Sequence, residues 1–242
     1  MIDVEGLDFT YPDGKRALHD LRFHVQAGES VGLGGPNGAG KTTLFLCLAG
    51  VLAPQSGTMQ VVALDPREPS ERKQLPARVG IVFQNSDEQL FSTTISDDVA
   101  FGPLNLGLDA DEVKRRVTQA LTDVGLAGFE ERVPFHLSGG EKRRAALAGV
   151  LAMRPQVLML DEPSMFLDPR GRRELIHLLN ALPITKIIAS HDLEMILDTC
   201  QRVAVLDAGR LITMGPAAEV LRDRALMETH GLEVPYRLRE NV

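Results

Sequence analysis

The sequence predicts an α/β fold: a mostly parallel sheet with its chemistry at the carboxyl ends of the strands, joined to an antiparallel β portion and an inserted helical segment. Three observations predict it. Short, nearly continuous apolar runs at 79–83, 157–160 and 186–189 have the pattern of strands buried on both faces. Helical spacing recurs between them, in Val113, Val117, Ala120, Leu121 and Val124, and again in Leu175, Ile176, Leu178, Leu179 and Leu182. A Gly-rich stretch, Gly35-Pro36-Asn37-Gly38-Ala39-Gly40-Lys41-Thr42-Thr43, lies between a strand end at 30–33 and the apolar first turns of a helix at 44–48.

That stretch has two glycines with four residues between them, then Lys and a hydroxyl residue, the phosphate-loop pattern. Gly35, Gly38 and Gly40 let the backbone turn tightly and aim successive N–H groups into one concavity, where a triphosphate meets no Cβ. Lys41 adds a point charge for the β/γ-phosphates, Thr42 a hydroxyl for Mg²⁺, and the helix N-terminus favours the same anion.

The chain of 242 residues is long enough for a substantial core. Its formal net charge of −7 argues against a general nucleic-acid binder, which needs a basic face. Cys47 and Cys200, the only cysteines, are far apart and without metal-site spacing, which fits a reducing cytosol. No basic region leads into an apolar run at the N-terminus, so no secretory signal is expected, and no stretch approaches the ~20 apolar residues of a membrane span.

In chain order, 2–9 and 21–26 alternate apolar and polar as half-buried strands, around a turn at Tyr11-Pro12-Asp13-Gly14. Tyr11 either stacks on an adenine or anchors the hairpin to the core. Residues 57–62 read as a strand and 65–76 as a surface connection. The strand at 79–83 ends at Gln84, either a solvated loop residue or a side chain that meets Mg²⁺ or the attacking water. Residues 85–132 read as a helical insertion, with Lys114, Arg115 and Arg116 off the apolar face of its amphipathic stretch. Leu137-Ser138-Gly139-Gly140-Glu141 opens a helix running to about Met153. Ser138 and Glu141 are spaced as a capping box, while the Gly139-Gly140 pair leaves N–H groups open to a phosphate.

The run at 157–160 ends in Asp161-Glu162, two acids that are costly at a buried strand end unless they have work. Asp161 suits Mg²⁺ and Glu162 suits the water attacking a γ-phosphate. Asp168-Pro169 reads as helix cap and first helical residue. His191, after the strand at 186–189, is either structural or placed to touch the γ-phosphate. Residues 202–206 and 211–213 suggest a closing hairpin around Ala208-Gly209, and 216–242 a charged helix and tail.

The ordered set of Tyr11, phosphate loop, Gln84, Leu137 to Glu141, Asp161-Glu162, Ser164 to Asp168 and Ser190-His191-Asp192 resembles the ATP-binding cassette (ABC) ATPases over nearly the whole chain. The resemblance implies a P-loop NTPase (RecA-like) core at 1–84 and 156–215, with an antiparallel β subdomain. It further implies a helical subdomain at 85–155 and a C-terminal helix and tail at 216–242, all within one ABC ATPase domain. By it, Gly35 to Thr42 is Walker A, Gln84 the Q-loop, Leu137 to Glu141 the signature and 157–161 Walker B. Glu162 is then the catalytic carboxylate, 164–168 the D-loop and His191 the switch. It also implies a head-to-tail dimer, homodimeric or heterodimeric, in which each ATP lies between one subunit's Walker A and the other's Ser138, Gly139 and Gly140. Three positions depart from the family: Glu141 stands where Gln is usual, Phe166 replaces a small D-loop residue, and Thr42 stands where Ser is commoner.

Residues 84–91, Q-N-S-D-E-Q-L-F, followed by D-V-A-F-G-P at 98–103, are similar to the ATPase subunits of energy-coupling-factor importers, which take up cobalt, nickel or vitamins. That similarity implies an integral membrane coupling protein bearing arginines, accompanied by a small solute-binding membrane protein. The chain is then peripheral, at the cytoplasmic face of the cell membrane. Asp87 and Glu88 are the expected acidic receptor for those arginines. Two readings compete. Another ABC transporter class would keep the ATPase and change its partner; a soluble ABC ATPase often carries two cassettes or a long coiled-coil insertion, and this sequence has neither. No Asn-Lys-x-Asp guanine motif occurs.

Overall fold

The computed structural model describes residues 1–239. The first elements are β1 (Ile2–Thr10), β2 (Arg16–Val25), β3 (Ser30–Gly34), α1 (Lys41–Leu48), β4 (Ser56–Val61), α2 (Pro69–Arg72) and β5 (Val79–Val82). Helices α3 (Ile95–Asn105), α4 (Ala110–Asp123) and α5 (Gly139–Leu151) follow. The chain continues through β6 (Val157–Asp161), α6 (Pro169–Ala181), β7 (Thr185–Ala189), α7 (Leu193–Thr199), β8 (Arg202–Asp207) and β9 (Arg210–Pro216), then the short α8 (Ala217–Val220) and α9 (Arg224–Thr229).

Two sheets form. β2, β1 and β4 make an antiparallel sheet in that order, and β5-β6-β7-β3-β8-β9 make a sheet that is parallel except for its β9 edge. The strands that read as continuous apolar runs do so because both of their faces are covered. Val157 and Met159 of β6 enter a core shared with β1, β2 and α1, whereas Leu158 and Leu160 enter a second core built with the later helices. α4 buries Val113, Val117, Ala120 and Leu121, as its spacing predicts, and Asp109 caps it by accepting from Glu112 N at 2.9 Å. Arg116 is less free than expected. Its side chain is half-buried, donates to Glu112 Oε1 at 2.7 Å and reaches the carbonyls of Ala152 and Met153.

Three features add to the sequence reading. The 65–76 connection holds α2 and a 3-10 turn at Leu75–Ala77, with Leu75 fully buried. α7 lacks any counterpart in the sequence reading, because seven residues are too few for a helical period to stand out. The charged C-terminal segment is docked: Ala217, Leu221, Met227 and Leu232 are buried in the second core, and Arg237 binds Glu194 and Asp198. Its last three residues, 240–242, lie outside the described residues. Among the described residues no helix is long and apolar enough to cross a membrane.

Candidate nucleotide site

β3 ends at Gly34, and the phosphate loop carries the chain from it into α1 at Lys41. Gly35 (φ 149°) and Gly40 (φ 106°) are required twice over, by left-handed backbone and by crowding: a Cβ would lie 2.1 Å from Leu206 O at Gly35 and 2.7 Å from Ala17 O at Gly40. Gly38 (φ 79°) faces open space, on the side where a ligand would sit. Lys41 folds back over the loop and donates to Gly35 O at 2.6 Å and Pro36 O at 3.1 Å. Burial pulls its ammonium below the usual range, against the pull of Glu162 and Asp161.

Thr42 and Asp161 are brought together by the parallel sheet, which sets the ends of β3 and β6 on either side of β7. Thr42 Oγ1 donates to Asp161 Oδ2 at 2.6 Å. Asp161 is buried, and burial raises its carboxyl above the usual range even though Thr42, Lys41 and Arg143 oppose the shift. Glu162, also buried, has φ 46°, left-handed for a side chain with a Cβ. Its carboxylate accepts from Ser190 Oγ at 3.1 Å and from His191 N at 3.1 Å, and lies 2.7 Å from His191 Nδ1.

Tyr11 packs against its own hairpin and borders the cleft. Its ring meets Phe9 edge-on at 4.9 Å, its hydroxyl is 3.0 Å from Thr43 Oγ1, and it lines the phosphate-loop cleft. That cleft, about 500 Å³, also takes in Asn37 to Thr43, Gln84, Asp161 and Glu162, so it gathers the phosphate loop with both acids. Gln84 is exposed, and its amide donates to Met165 Sδ at 2.9 Å instead of meeting Thr42 or Asp161.

The segment at Ser138 stands apart. Ser138 Oγ accepts from Glu141 N and donates to Glu141 Oε2, which also accepts from Ser138 N, so the capping box is complete. Those bonds hold the Glu141 carboxyl below its usual range. Ser138, Gly139 and Gly140 line a separate depression with Arg144, Phe166 and Asp168, and no phosphate-loop residue lines it. Phe166, at φ 63°, leaves 83% of its surface exposed between that depression and the neighbouring groove. Asp168 caps α6 by accepting from Gly171 N at 2.7 Å.

Sequence reasoning included Ser190 and Met165 in its motifs without giving either a role of its own, and it missed Arg143. Ser190 is fully buried against Glu162. Arg143 is buried with Ala146, Leu147 and Val150 on one face of α5, a helical spacing that the sequence displays.

A phosphate loop between strand and helix, with an acid at the end of a strand two places away in the same parallel sheet bonded to its hydroxyl, defines a nucleoside-triphosphatase of the α/β class. The family model for ABC transporters matches residues 18–165. A Gloeobacter violaceus protein named as an ABC transporter ATP-binding protein is 50% identical over 237 residues, covering 97% of both chains. The energy-coupling factor transporter ATP-binding protein EcfA of Methanothermobacter thermautotrophicus is 47% identical over 241 residues, 97% of this chain and 77% of that one. A solved structure of cbiO1 from Clostridium perfringens, part of the ABC transporter complex cbiONQ, superposes with a TM-score of 0.83 at 38% identity, covering 98% of this chain and 96% of that one. The chain belongs to the ABC transporter family, and it is an ATP-binding ATPase of that family.

Proposed function

We propose that this chain is the ATP-hydrolysing subunit of an energy-coupling-factor type importer, driving uptake of cobalt, nickel or a vitamin through a membrane partner. The observation that carries the reading is likeness to EcfA, an energy-coupling factor transporter ATP-binding protein, over 97% of this chain and 77% of that one, supported by the likeness to cbiO1.

In this reading the N–H groups of Gly35 to Thr43 cradle the phosphates, Lys41 turns from Gly35 O to the β/γ oxygens, and Tyr11 lies against the base. Thr42 and Asp161 would hold Mg²⁺. They fit it: a hydroxyl and a carboxylate, both hard oxygen donors, stand 2.6 Å apart, and a cation would offset the burial of Asp161. Ions of this kind bind through one or two protein oxygens together with substrate phosphates, which suits a site with two such donors. When bound, the ion would neutralise charge developing on the transferred phosphoryl group. Glu162 takes a proton from the attacking water, Ser190 and His191 orient its carboxylate, and Gln84 leaves Met165 to meet water or metal.

That Ser138, Gly139 and Gly140 line a depression without phosphate-loop residues supports a second ATPase subunit, identical or paralogous, whose nucleotide they would serve. The membrane partner would dock on the helical segment. Phe91 and Phe101 stand edge-to-face at 5.0 Å, both exposed, with Leu104 one turn further along α3. The acidic receptor is reshaped by the structure. Asp87 is already paired with Lys142 at 2.6 Å, and Glu88 Oε1 accepts from Asn85 at 2.9 Å, so Glu88 is the freer acid for a partner's arginine.

Gentle detergent extraction with this chain as bait tests the function. Recovery of one coupling protein with a small solute-binding membrane protein is expected. A permease pair would move the chain to another ABC transporter class, and no membrane partner would favour the soluble reading.

A further inference from the structure

Arg143 lies on the first turns of α5, five residues after Ser138, yet its guanidinium contacts no surface of that helix's own depression. It is 4% exposed and reaches across to the carboxyl ends of two strands. One nitrogen donates to Phe83 O at 2.5 Å, another to Gln84 O at 2.5 Å, and the second also approaches Glu162 O at 3.5 Å. Its planar fork thus bridges the chain leaving β5 and the chain leaving β6, the two places from which Gln84 and Glu162 project.

A buried guanidinium is expensive unless its donors are filled, and here carbonyls at strand ends fill them. Asp161 and Glu162 lie near enough to favour the charge against burial. The carbonyl of Glu162 belongs to a residue in left-handed backbone, and that of Gln84 to an exposed loop. The Gln84 carbonyl accepts from Arg143 at 2.5 Å, whereas the Glu162 carbonyl also accepts from Met165 N at 3.2 Å, so Arg143 ties the Q-loop to a turn that is already closed after β6. Beside it, Lys142 pairs with Asp87 and fastens the same turn of α5 to the loop after Gln84.

We infer that Arg143 is a positioning residue for hydrolysis, holding the Q-loop and the backbone of Glu162 in register with the N-terminus of the Ser138 helix. Because Ser138 would serve the partner's nucleotide while Gln84 and Glu162 serve this chain's own, Arg143 physically joins halves of two ATP sites within one chain. The inference rests on the proposed roles of Glu162, Gln84 and Ser138, and it adds a residue of the adjoining groove, which Thr42, Gln84 and Asp161 also line.

The test compares the full chain with Arg143→Met and Arg143→Lys in steady-state ATP hydrolysis, nucleotide affinity at equilibrium and hydrogen exchange without nucleotide. Arg143→Met is expected to lower kcat roughly 10- to 100-fold by misplacing the reacting groups. The KM for ATP should stay within about twofold, since the phosphate loop is untouched. Arg143→Lys, which keeps the charge but loses the fork, should recover part of kcat. Amides at 84–90 should exchange faster in Arg143→Met while those of α1 do not. A kcat per folded molecule equal to wild type, or loss of kcat and rise of KM together, would overturn the inference. Should Arg143→Met not fold, Arg143→Lys decides by the same split between kcat and KM. Failure of the underlying reading is distinguishable, because Glu162→Gln would then hydrolyse ATP at the wild-type rate whatever Arg143 does.

Discussion

Glu162 is clasped by His191 through two of its atoms: the backbone N–H donates to the carboxylate at 3.1 Å and Nδ1 lies 2.7 Å from Oε2. The catalytic acid proposed for β6 is therefore aimed by the residue that follows β7, one strand away in the sheet. Glu162→Gln keeps an oxygen for one donor and presents an amide to the other. Hydrolysis should fall about 10²- to 10⁴-fold with ATP binding retained, as for loss of a general base. Near-normal turnover with nucleotide bound would remove Glu162 from that role.

Burial of Asp161 costs stability at neutral pH. Its carboxyl is raised by burial, so the folded chain binds that proton more tightly than the unfolded chain does. The resulting penalty is absent below the unfolded value near 3.8 and fully present once pH has risen past the folded value. Asp161→Asn, which still offers Thr42 an acceptor, should melt higher than wild type without nucleotide at neutral pH, by roughly 2–4 °C per kcal/mol recovered. The gap should close as pH falls, and ATP hydrolysis should be lost. A lower melting temperature for Asp161→Asn at neutral pH would contradict the burial argument.

Reversal of Asp87 and Glu88 together should release the membrane partner with the fold intact. Since Asp87→Lys also breaks the pair with Lys142, Glu88→Lys alone separates docking from packing. Unchanged co-purification of both variants would refute the acidic receptor.

Cys47 and Cys200 are buried, and burial pushes both thiols up to about 12. A neutral, inaccessible thiol is a poor nucleophile. The native protein should resist a maleimide at pH 8 and be labelled at both positions after denaturation, as read by mass spectrometry; rapid native labelling at either position would mean the site opens.

Local grammar was legible wherever a short segment carries its own physical reason. The phosphate loop, the Ser138–Glu141 capping box, the Asp168–Pro169 helix start and the buried strands each follow from spacing that a few residues determine. The two acids at 161 and 162 could be suspected because charge at the end of a buried strand is costly. α7 escaped notice because it is short, and the docking of the C-terminal segment because its buried Leu221, Met227 and Leu232 are spread among charged residues.

By itself, then, the sequence marked out the residues proposed for phosphate and metal chemistry and the strand ends that carry them. Only the tertiary structure decided what each touches: Thr42 on Asp161, Ser190 and His191 on Glu162, Lys142 on Asp87, and Arg143 on the carbonyls of Phe83 and Gln84. The reason is separation along the chain. Thr42 and Asp161 are 119 residues apart, and their contact exists only because parallel strands distant in sequence align their carboxyl ends in one sheet. Hydrophobic periodicity reports which face of an element is buried, not which neighbour covers it.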